Sequence, residues 1–529
     1  MSSNSIPAQD AVPQPKVNPW LIGIVVSLAA FMEVLDTSIA NVALPHIAGN
    51  LGASNDESTW VLTSYLVSNA VVLPISGFLV GWLGRKRFFL TCIVLFTASS
   101  FMCGIAPNLG LLLLFRVLQG AFGGGLQPMT QAILGDSFPP AKRGMAFALY
   151  GITIVCAPAI GPTLGGWITD NYSWRWIFYI NVPVGILAVV LVHQLIEDPP
   201  YLKRVKNAFA NFDYLGFSLL AIGVGALQVA LDKGQEDDWF GSSFITTLIV
   251  VATIGLVSLV IWEWRRKEPI VDIRLFQRFN FASCSLMMFV LGAVLFSSTV
   301  LLPQFLQTLM GYTAQKAGMV LSAAAILLLV VLQLVGRLAG RIQARYLLAF
   351  GWISLAVAMY VSCKRLDLLI SFNAATWMRI WQYLPVGFLF VPLTMAAYVG
   401  LPAEKSNAAA GLINFVRNMG QSVGTSAVTT LLARRSQYHQ SVLAESTRSH
   451  RFQAVIDGVA LKLSHAGVSM HEAQRQALGR LYGMVQQQAA ALSYVDVYWL
   501  LSVIAAAMFL LSFFLRKNQP GAGAEVQIH

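Results

Sequence analysis

About fourteen stretches of mainly apolar residues, each roughly twenty residues long and separated by short polar breaks, constrain this chain more than any other feature. The first runs from Trp20 to Leu44 and the last from Tyr494 to Leu515. A helix of that length crosses a hydrocarbon core about 30 Å thick, and it does so with its backbone groups satisfied internally. Composition points the same way: over 529 residues, 56% are hydrophobic and only 11% charged, too apolar for a chain of this size that meets water on every side. The expected fold class is an all-α membrane protein with 14 transmembrane helices, and its first partner is the lipid bilayer.

Basic residues set the orientation. Arg85, Lys86 and Arg87, then Lys142 and Arg143, then Lys203, Arg204 and Lys206 fall in alternate loops. Arg265, Arg266 and Lys267, then Arg337, Arg341 and Arg345, and finally Arg516 and Lys517 continue the series. The positive-inside rule makes those ends cytoplasmic, and an even number of spans then leaves both termini inside. The intervening loops are poor in Lys and Arg or acidic, as at Asp232, Glu236, Asp237 and Asp238. The formal charge of +11 is thus a topology signal, with no nucleic-acid partner implied. Residues 1–18 are polar and precede a segment too long for a signal-peptide core, so a cytoplasmic tail without a cleaved signal is expected. The five cysteines all fall in or at the end of apolar stretches with no CxxC pair, which predicts packing residues and neither a metal site nor disulfides.

Internal repetition divides the chain. Leu44-Pro45 with Leu51 recurs as Leu302-Pro303 with Leu309, and Gly77-Phe-Leu79-Val-Gly81 before Lys86 recurs as Gly336-Arg-Leu338-Ala-Gly340 before Arg345. This predicts two related six-helix bundles, 19–200 and 269–516, with two further spans inserted at 201–268 and a cytoplasmic tail at 517–529. A central site between bundles, open alternately to each side, follows from that plan. Residues 433–492 form the one large extramembrane segment, expected outside the cytoplasm. Met470, Ala473, Ala477, Leu481 and Met484 make an apolar stripe on a helix there, which must either dock a partner or fold over the protein's own external mouth.

Charges within spans are expensive and mark functional candidates. The first span holds Glu33 and Asp36, at i and i+3 on one helical face, and also Asn41. The fourth holds Arg116 and Gln119, the thirteenth Asn414, Arg417, Asn418 and Gln421. Apolar surroundings favour a neutral carboxyl and a nearby Arg a charged one, so Asp36 or Glu33 is suited to gain and lose a proton. A buried ion pair joining two helices is the structural alternative, above all for Glu33 with Arg417. Pro158, Gly161, Pro162, Gly165 and Gly166 in the fifth span combine a kink with small residues that admit a neighbouring helix closely. Gly120, Gly123, Gly124 and Gly125 read similarly, since no strand precedes them and no Lys-Ser/Thr follows, as a phosphate loop requires.

Leu35-Asp36-Thr-Ser-Ile-Ala-Asn41-Val-Ala-Leu-Pro45, Gly77 to Lys86, Arg116-Val-Leu-Gln119-Gly120, Gly161-Pro162-Thr-Leu-Gly165-Gly166 and Trp174-Arg-Trp-Ile-Phe-Tyr-Ile-Asn181-Val-Pro183 follow one another in order. That series resembles the signatures of the fourteen-span drug:proton antiporters, and from Trp20 to Leu515 the chain is similar to the EmrB branch. The resemblance implies the major facilitator fold and proton-driven efflux of small hydrophobic or amphipathic molecules from the cell inner membrane. It implies no cofactor beyond the proton gradient, and partnership with a periplasmic membrane-fusion adaptor of EmrA type and an outer-membrane channel. By the same resemblance Arg116 is the proton-relay arginine and Gly161-Pro162 the antiporter motif. At the cytoplasmic gate, Gly81 and Trp82 stand where the family commonly carries Asp then Arg. Arg85 with Asp136 is the alternative latch there, beside Gly77 and Lys86.

An integral membrane enzyme finds little support: His471-Glu472 lacks the second histidine of HExxH, and the other histidines are scattered. Paired halves with buried charges favour alternating access over a channel or receptor. Export of one physiological compound such as a fatty acid, and uptake by the same fold, are the nearest rivals. An acidic first span with many aromatic and Met residues suits lipophilic cations, with fatty acids and neutral compounds left open.

Overall fold

A computed structural model describes residues 18–515 apart from 140–141, 200–211, 267–268, 403–404 and 447–449. The expected tails, and the topology residues Lys203, Arg204, Lys206, Lys267, Arg516 and Lys517, lie outside the described residues. What is described is helical and contains no strand. The first half comprises α1 (Pro19–Leu51), α2 (Asn55–Leu83), α3 (Arg85–Ile105), α4 (Leu109–Gly123), α5 (Leu126–Ser137), α6 (Arg143–Asn171), α7 (Trp176–Tyr179) and α8 (Asn181–Leu195). Then come α9 (Tyr214–Lys233), α10 (Ser243–Arg265), α11 (Phe279–Thr308), α12 (Ala314–Leu338), α13 (Ala344–Arg365), α14 (Phe372–Ala397), α15 (Ser406–Ser446), α16 (His450–His465) and α17 (Met470–Ser512).

Local chemistry explains several starts. Ser54 and Glu57 form a reciprocal capping box on α2, and Asn108, Asp213, Thr313 and Ser371 each accept a backbone N–H at the head of α4, α9, α12 and α14. The fourth span is two helices, α4 and α5, broken at Gly124 and Gly125. Those glycines are a packing device: a Cβ on Gly124 would stand 2.8 Å from the Asn69 carbonyl of α2, and one on Gly125 would stand 2.6 Å from Cys92 Sγ of α3.

Among the described residues thirteen helical spans are long and apolar enough to cross a bilayer. The thirteenth span expected from the sequence falls on α15, which Asn414, Arg417, Asn418 and Gln421 make more polar than these and which nonetheless packs against α2, α11 and α17. With it the spans number fourteen, as expected. α9 and α10 pair through Gly223 and Gly255, whose backbones approach so closely that a Cβ on Gly255 would lie 2.9 Å from Gly223 Cα. This inserted pair leans on α2, where Thr63 hydrogen-bonds Asp232, and reaches α15 through Trp239 Nε1, which donates to Thr430 Oγ1 at 3.0 Å.

The extramembrane segment differs from a loop. α15 and α17, with 41 and 43 residues, run about 60 Å each, twice the hydrocarbon thickness. Both continue out of the bundle as an arm, with α16 lying against α17. At its root Asp496 Oδ2 takes Arg435 Nε at 2.6 Å and lies 2.7 Å from His439 Nε2. The predicted apolar stripe is divided: Ala473 and Ala477 are buried against Val459, Ala460 and Leu463 of α16, whereas Met470 and Met484 are exposed. Part of the cover is therefore the arm itself. All five cysteines are buried and unpaired.

Candidate functional site

Glu33 and Asp36 are both buried on α1, but they enter different networks. Arg116 of α4 donates from Nη1 to Asp36 Oδ2 at 2.6 Å and from Nε to the Val61 carbonyl at 3.0 Å. Gln119 Nε2 and Asn181 Nδ2 donate to Asp36 Oδ1 at 2.9 and 2.7 Å, and Gln119 Oε1 accepts from Arg116 at 2.8 Å. The guanidinium lies 4.3 Å from the Tyr65 ring centroid. Every member sits in one bundle. A charge-assisted cluster this dry holds α1, α4 and α8 together strongly, because removing either charge strands the other.

Glu33 faces elsewhere. Tyr65 OH and Asn69 Nδ2 each donate to its Oε1 at 3.1 Å, and Gln127 Nε2 donates to Oε2 at 2.5 Å. The same Gln127 accepts through Oε1 from Arg417 of α15 and from Tyr150 OH, the latter at 3.3 Å. Glu33 and Arg417 thus form no direct ion pair; a neutral amide stands between acid and base and carries the link from one bundle to the other. Beside it Asn414 accepts from Tyr150 at 3.0 Å and donates to Gln131 at 2.8 Å, again across the seam. Gln127, Gln131, Tyr65, Asn69 and Tyr150 were not singled out by sequence. Asn181 belonged to a recognised motif without an assigned contact. Asn41 is exposed and joins neither network.

The motif glycines divide as well. Ser38 Oγ donates to the Pro158 carbonyl at 3.2 Å, and a Cβ on Gly161 would collide with Ser38. On Gly165 it would press on Ile39, within 3.1 to 3.3 Å. Gly166, expected to share this role, has nothing nearer than Val42 at 4.0 Å. Gly161 and Gly165 carry the α1–α6 approach.

The bundles close on each other at the end that bears the basic loops. Arg85 Nη1 lies 2.5 Å from Asp136 Oδ2, and its Nη2 donates to Asn407 Oδ1 of α15 at 3.1 Å. Arg85 thus joins Asp136 of its own bundle to Asn407 of the other, near the Gly81 and Trp82 departures. Lys86 takes no part, its Nζ donating instead to the His193 carbonyl at 2.6 Å. A Cβ on Gly77 of α2 would stand 2.9 Å from Ala408 Cα of α15, and one on Gly336 of α12 would stand 3.0 Å from the Gly144 carbonyl of α6. The two glycines that echo in sequence each meet the opposite bundle.

Two six-helix bundles, an inserted pair of spans and buried charges at their seam define a membrane transporter of the alternating-access kind. The family model described as Major Facilitator Superfamily matches residues 26–425, and the chain belongs to that superfamily. It is 38% identical over 503 residues to the multidrug export protein EmrB of Escherichia coli K12, covering 95% of this chain and 96% of that one. It is 38% identical over 473 residues to the fatty acid resistance protein FarB of Neisseria gonorrhoeae, covering 89% and 91%. Among solved structures, the proton:xylose symporter XylE superposes with a TM-score of 0.59 at 11% identity over 96% of this chain and 97% of its own, a likeness of fold.

Proposed function

We propose that this protein is a proton-driven antiporter that exports hydrophobic or amphipathic small molecules by alternating access, with its basic loops and both termini in the cytoplasm. The observation that carries the reading is the placement of two buried carboxylates on one helix in two unlike networks. Asp36 is locked to Arg116 within a bundle, and Glu33 reaches Arg417 of the other bundle through Gln127. A proton gained at Glu33 weakens it as an acceptor for Gln127, and the Gln127–Arg417 contact is one of the bonds that hold the seam shut. A proton gained at Asp36 leaves Arg116 without its counter-charge and loosens α1 against α4. Asp36 and Arg116 serve as the coupling pair in this scheme, Glu33 with Arg417 and Asn414 as the coupling region, and Arg85 with Asp136 and Gly77 as the cytoplasmic gate. Similarity to EmrB supports multidrug substrates, and similarity to FarB supports fatty acids as an alternative cargo.

The arm of α15, α16 and α17 is the surface proposed to meet a periplasmic membrane-fusion adaptor leading to an outer-membrane channel, with exposed Met470 and Met484 on it. The test is uptake into proteoliposomes under an imposed pH gradient. Wild type should accumulate substrate and Asp36→Asn should not, while remaining inserted. Uphill transport by Asp36→Asn at the wild-type rate would remove Asp36 from the coupling step.

A further inference from the structure

The C-terminal bundle contains a copy of the Arg116 arrangement from which the acid is missing. Arg379 stands about two turns into α14, as Arg116 stands about two turns into α4. Each has a glutamine three residues on: Gln382 Oε1 accepts from Arg379 Nη1 at 3.0 Å, as Gln119 Oε1 accepts from Arg116 at 2.8 Å. Each guanidinium lies over a tyrosine ring, Tyr383 at 4.0 Å and Tyr65 at 4.3 Å. Where α1 supplies the Asp36 carboxylate, α11 supplies hydroxyls: Ser298 Oγ at 3.1 Å and Thr299 Oγ1 at 2.6 Å from Arg379 nitrogens. Both hydroxyls give their own protons to the Leu295 carbonyl at 2.8 Å, so toward Arg379 they act as neutral acceptors. The Arg379 side chain is fully buried, all its hydrogen bonds go to uncharged groups, and its Nε has no partner.

A guanidinium does not shed its proton to escape burial, as a lysine can, and a buried charge without a counter-ion is strongly disfavoured. We propose that Arg379, with Ser298, Thr299 and Gln382, anchors an anion site that takes a singly charged group, a halide or the carboxylate head of an amphiphile, during the working cycle. Pro385, a little under two turns further along α14, removes one helix hydrogen bond and gives that helix a place to flex beside the site. The inference is independent of the direction of transport.

The test is thermal unfolding of the purified full-length protein in neutral detergent, with ionic strength held by sodium sulfate. Chloride, sodium dodecanoate and the uncharged dodecanol are titrated separately. Chloride or dodecanoate should raise the wild-type midpoint by about 2 °C beyond dodecanol, and Arg379→Gln should lose that rise. A rise with chloride identifies a free anion as an occupant, and a rise with dodecanoate alone identifies an amphiphile's head. Should Arg379→Gln fail to fold, Thr299→Val keeps the charge and should weaken the response several-fold. No rise in wild type with either anion, or an equal rise in the variants that fold, overturns the proposal and leaves Arg379 as a brace between α11 and α14.

Discussion

Substituting Gly77 by alanine should open the closed end of the transporter, and the structure sets the size of the effect. The added Cβ would lie 2.9 Å from Ala408 Cα and 3.1 Å from both the Ala408 Cβ and backbone nitrogen, where carbon atoms prefer about 3.5–4.0 Å. The obstacle is backbone, so no side-chain rotation relieves it, and α2 and α15 must part by a few tenths of an ångström or more. Overpacking of this kind costs about 1–3 kcal/mol. The helix-propensity gain of alanine over glycine, about 1 kcal/mol, acts on both conformations alike and cancels from the comparison. Only the arrangement with the seam shut bears the clash, so its population relative to the opened one should fall about 5- to 150-fold.

Ser76→Cys provides the reporter, because Ser76 is fully buried and its Oγ would lie 2.7 Å from a Cβ on Gly411 of α15. In inside-out vesicles a membrane-impermeant maleimide should label this cysteine faster in the Gly77→Ala background, by a factor in that range when opening limits the reaction. Gly81→Ala is the internal control, on the same helix one turn away with nothing within 4 Å of the new Cβ, and it should leave labelling unchanged. Equal labelling in Gly77→Ala and wild type would refute the account of the seam, as would equal acceleration by Gly81→Ala.

Gly165→Leu should arrest or uncouple transport because it presses on the Ile39 backbone, whereas Gly166→Leu should be far milder; reversal of that order in substrate efflux would show that α1 and α6 do not approach as described. Arg116→Ala should lower stability by about 3–5 kcal/mol by stranding Asp36, and Arg116→Lys should fail to restore transport because an ammonium cannot reach Asp36, Gln119 and Val61 together. A thermal midpoint unchanged in Arg116→Ala would contradict the cluster's structural weight. Deletion of Ser441 to Gln488 with a flexible bridge should spare proton-linked transport in proteoliposomes and abolish resistance in cells that export across two membranes. A defect in both assays would make the arm part of the transport path rather than a docking surface.

The elements legible in the sequence share one property: each departs sharply from its apolar surroundings. Asp36 and Arg116 stand out for that reason. Gln127, Gln131 and Tyr150 do not, since neutral polar and aromatic residues are ordinary in spans, and the Gln127–Arg417 contact joins residues far apart in the chain. Arg379 lies near the start of its span, where a basic residue normally reaches the interface, and only the structure shows it buried. The unbroken run of α15 and α17 into the arm is not legible, because hydropathy falls at the membrane surface whether or not the helix ends there. The Arg85–Asp136 pair was legible as a possibility, but Asn407 on the far bundle, which makes it part of a connection between halves, was not.

Four ion pairs each stay within one bundle. Arg85–Asp136 and Arg116–Asp36 lie within the first bundle, and Lys405–Asp272 and Arg435–Asp496 within the second. Bonds that do cross include Arg85–Asn407, Tyr150–Asn414, Asn414–Gln131, Arg417–Gln127, Tyr398–Gln131 and Cys156–Ala325, and each of these has at least one neutral partner. A neutral hydrogen bond contributes about 0.5–1.5 kcal/mol net and one to a charged group about 1.5–3, whereas breaking a buried ion pair by removing one partner costs about 3–5. The strongest of these contacts, the fully buried Arg116–Asp36 pair, therefore lies inside one bundle, and weaker bonds are left to the surface that has to open. A charge placed at Gln127 tests that division: Gln127→Glu would put a carboxylate against Arg417 across the seam while setting it against Glu33. If the crossing pair wins, the closed state should be over-stabilised, Ser76→Cys labelling should slow, and efflux should fall even though substrate still binds. Faster labelling in Gln127→Glu would instead show that repulsion from Glu33 dominates and that Glu33 is charged when the seam is shut.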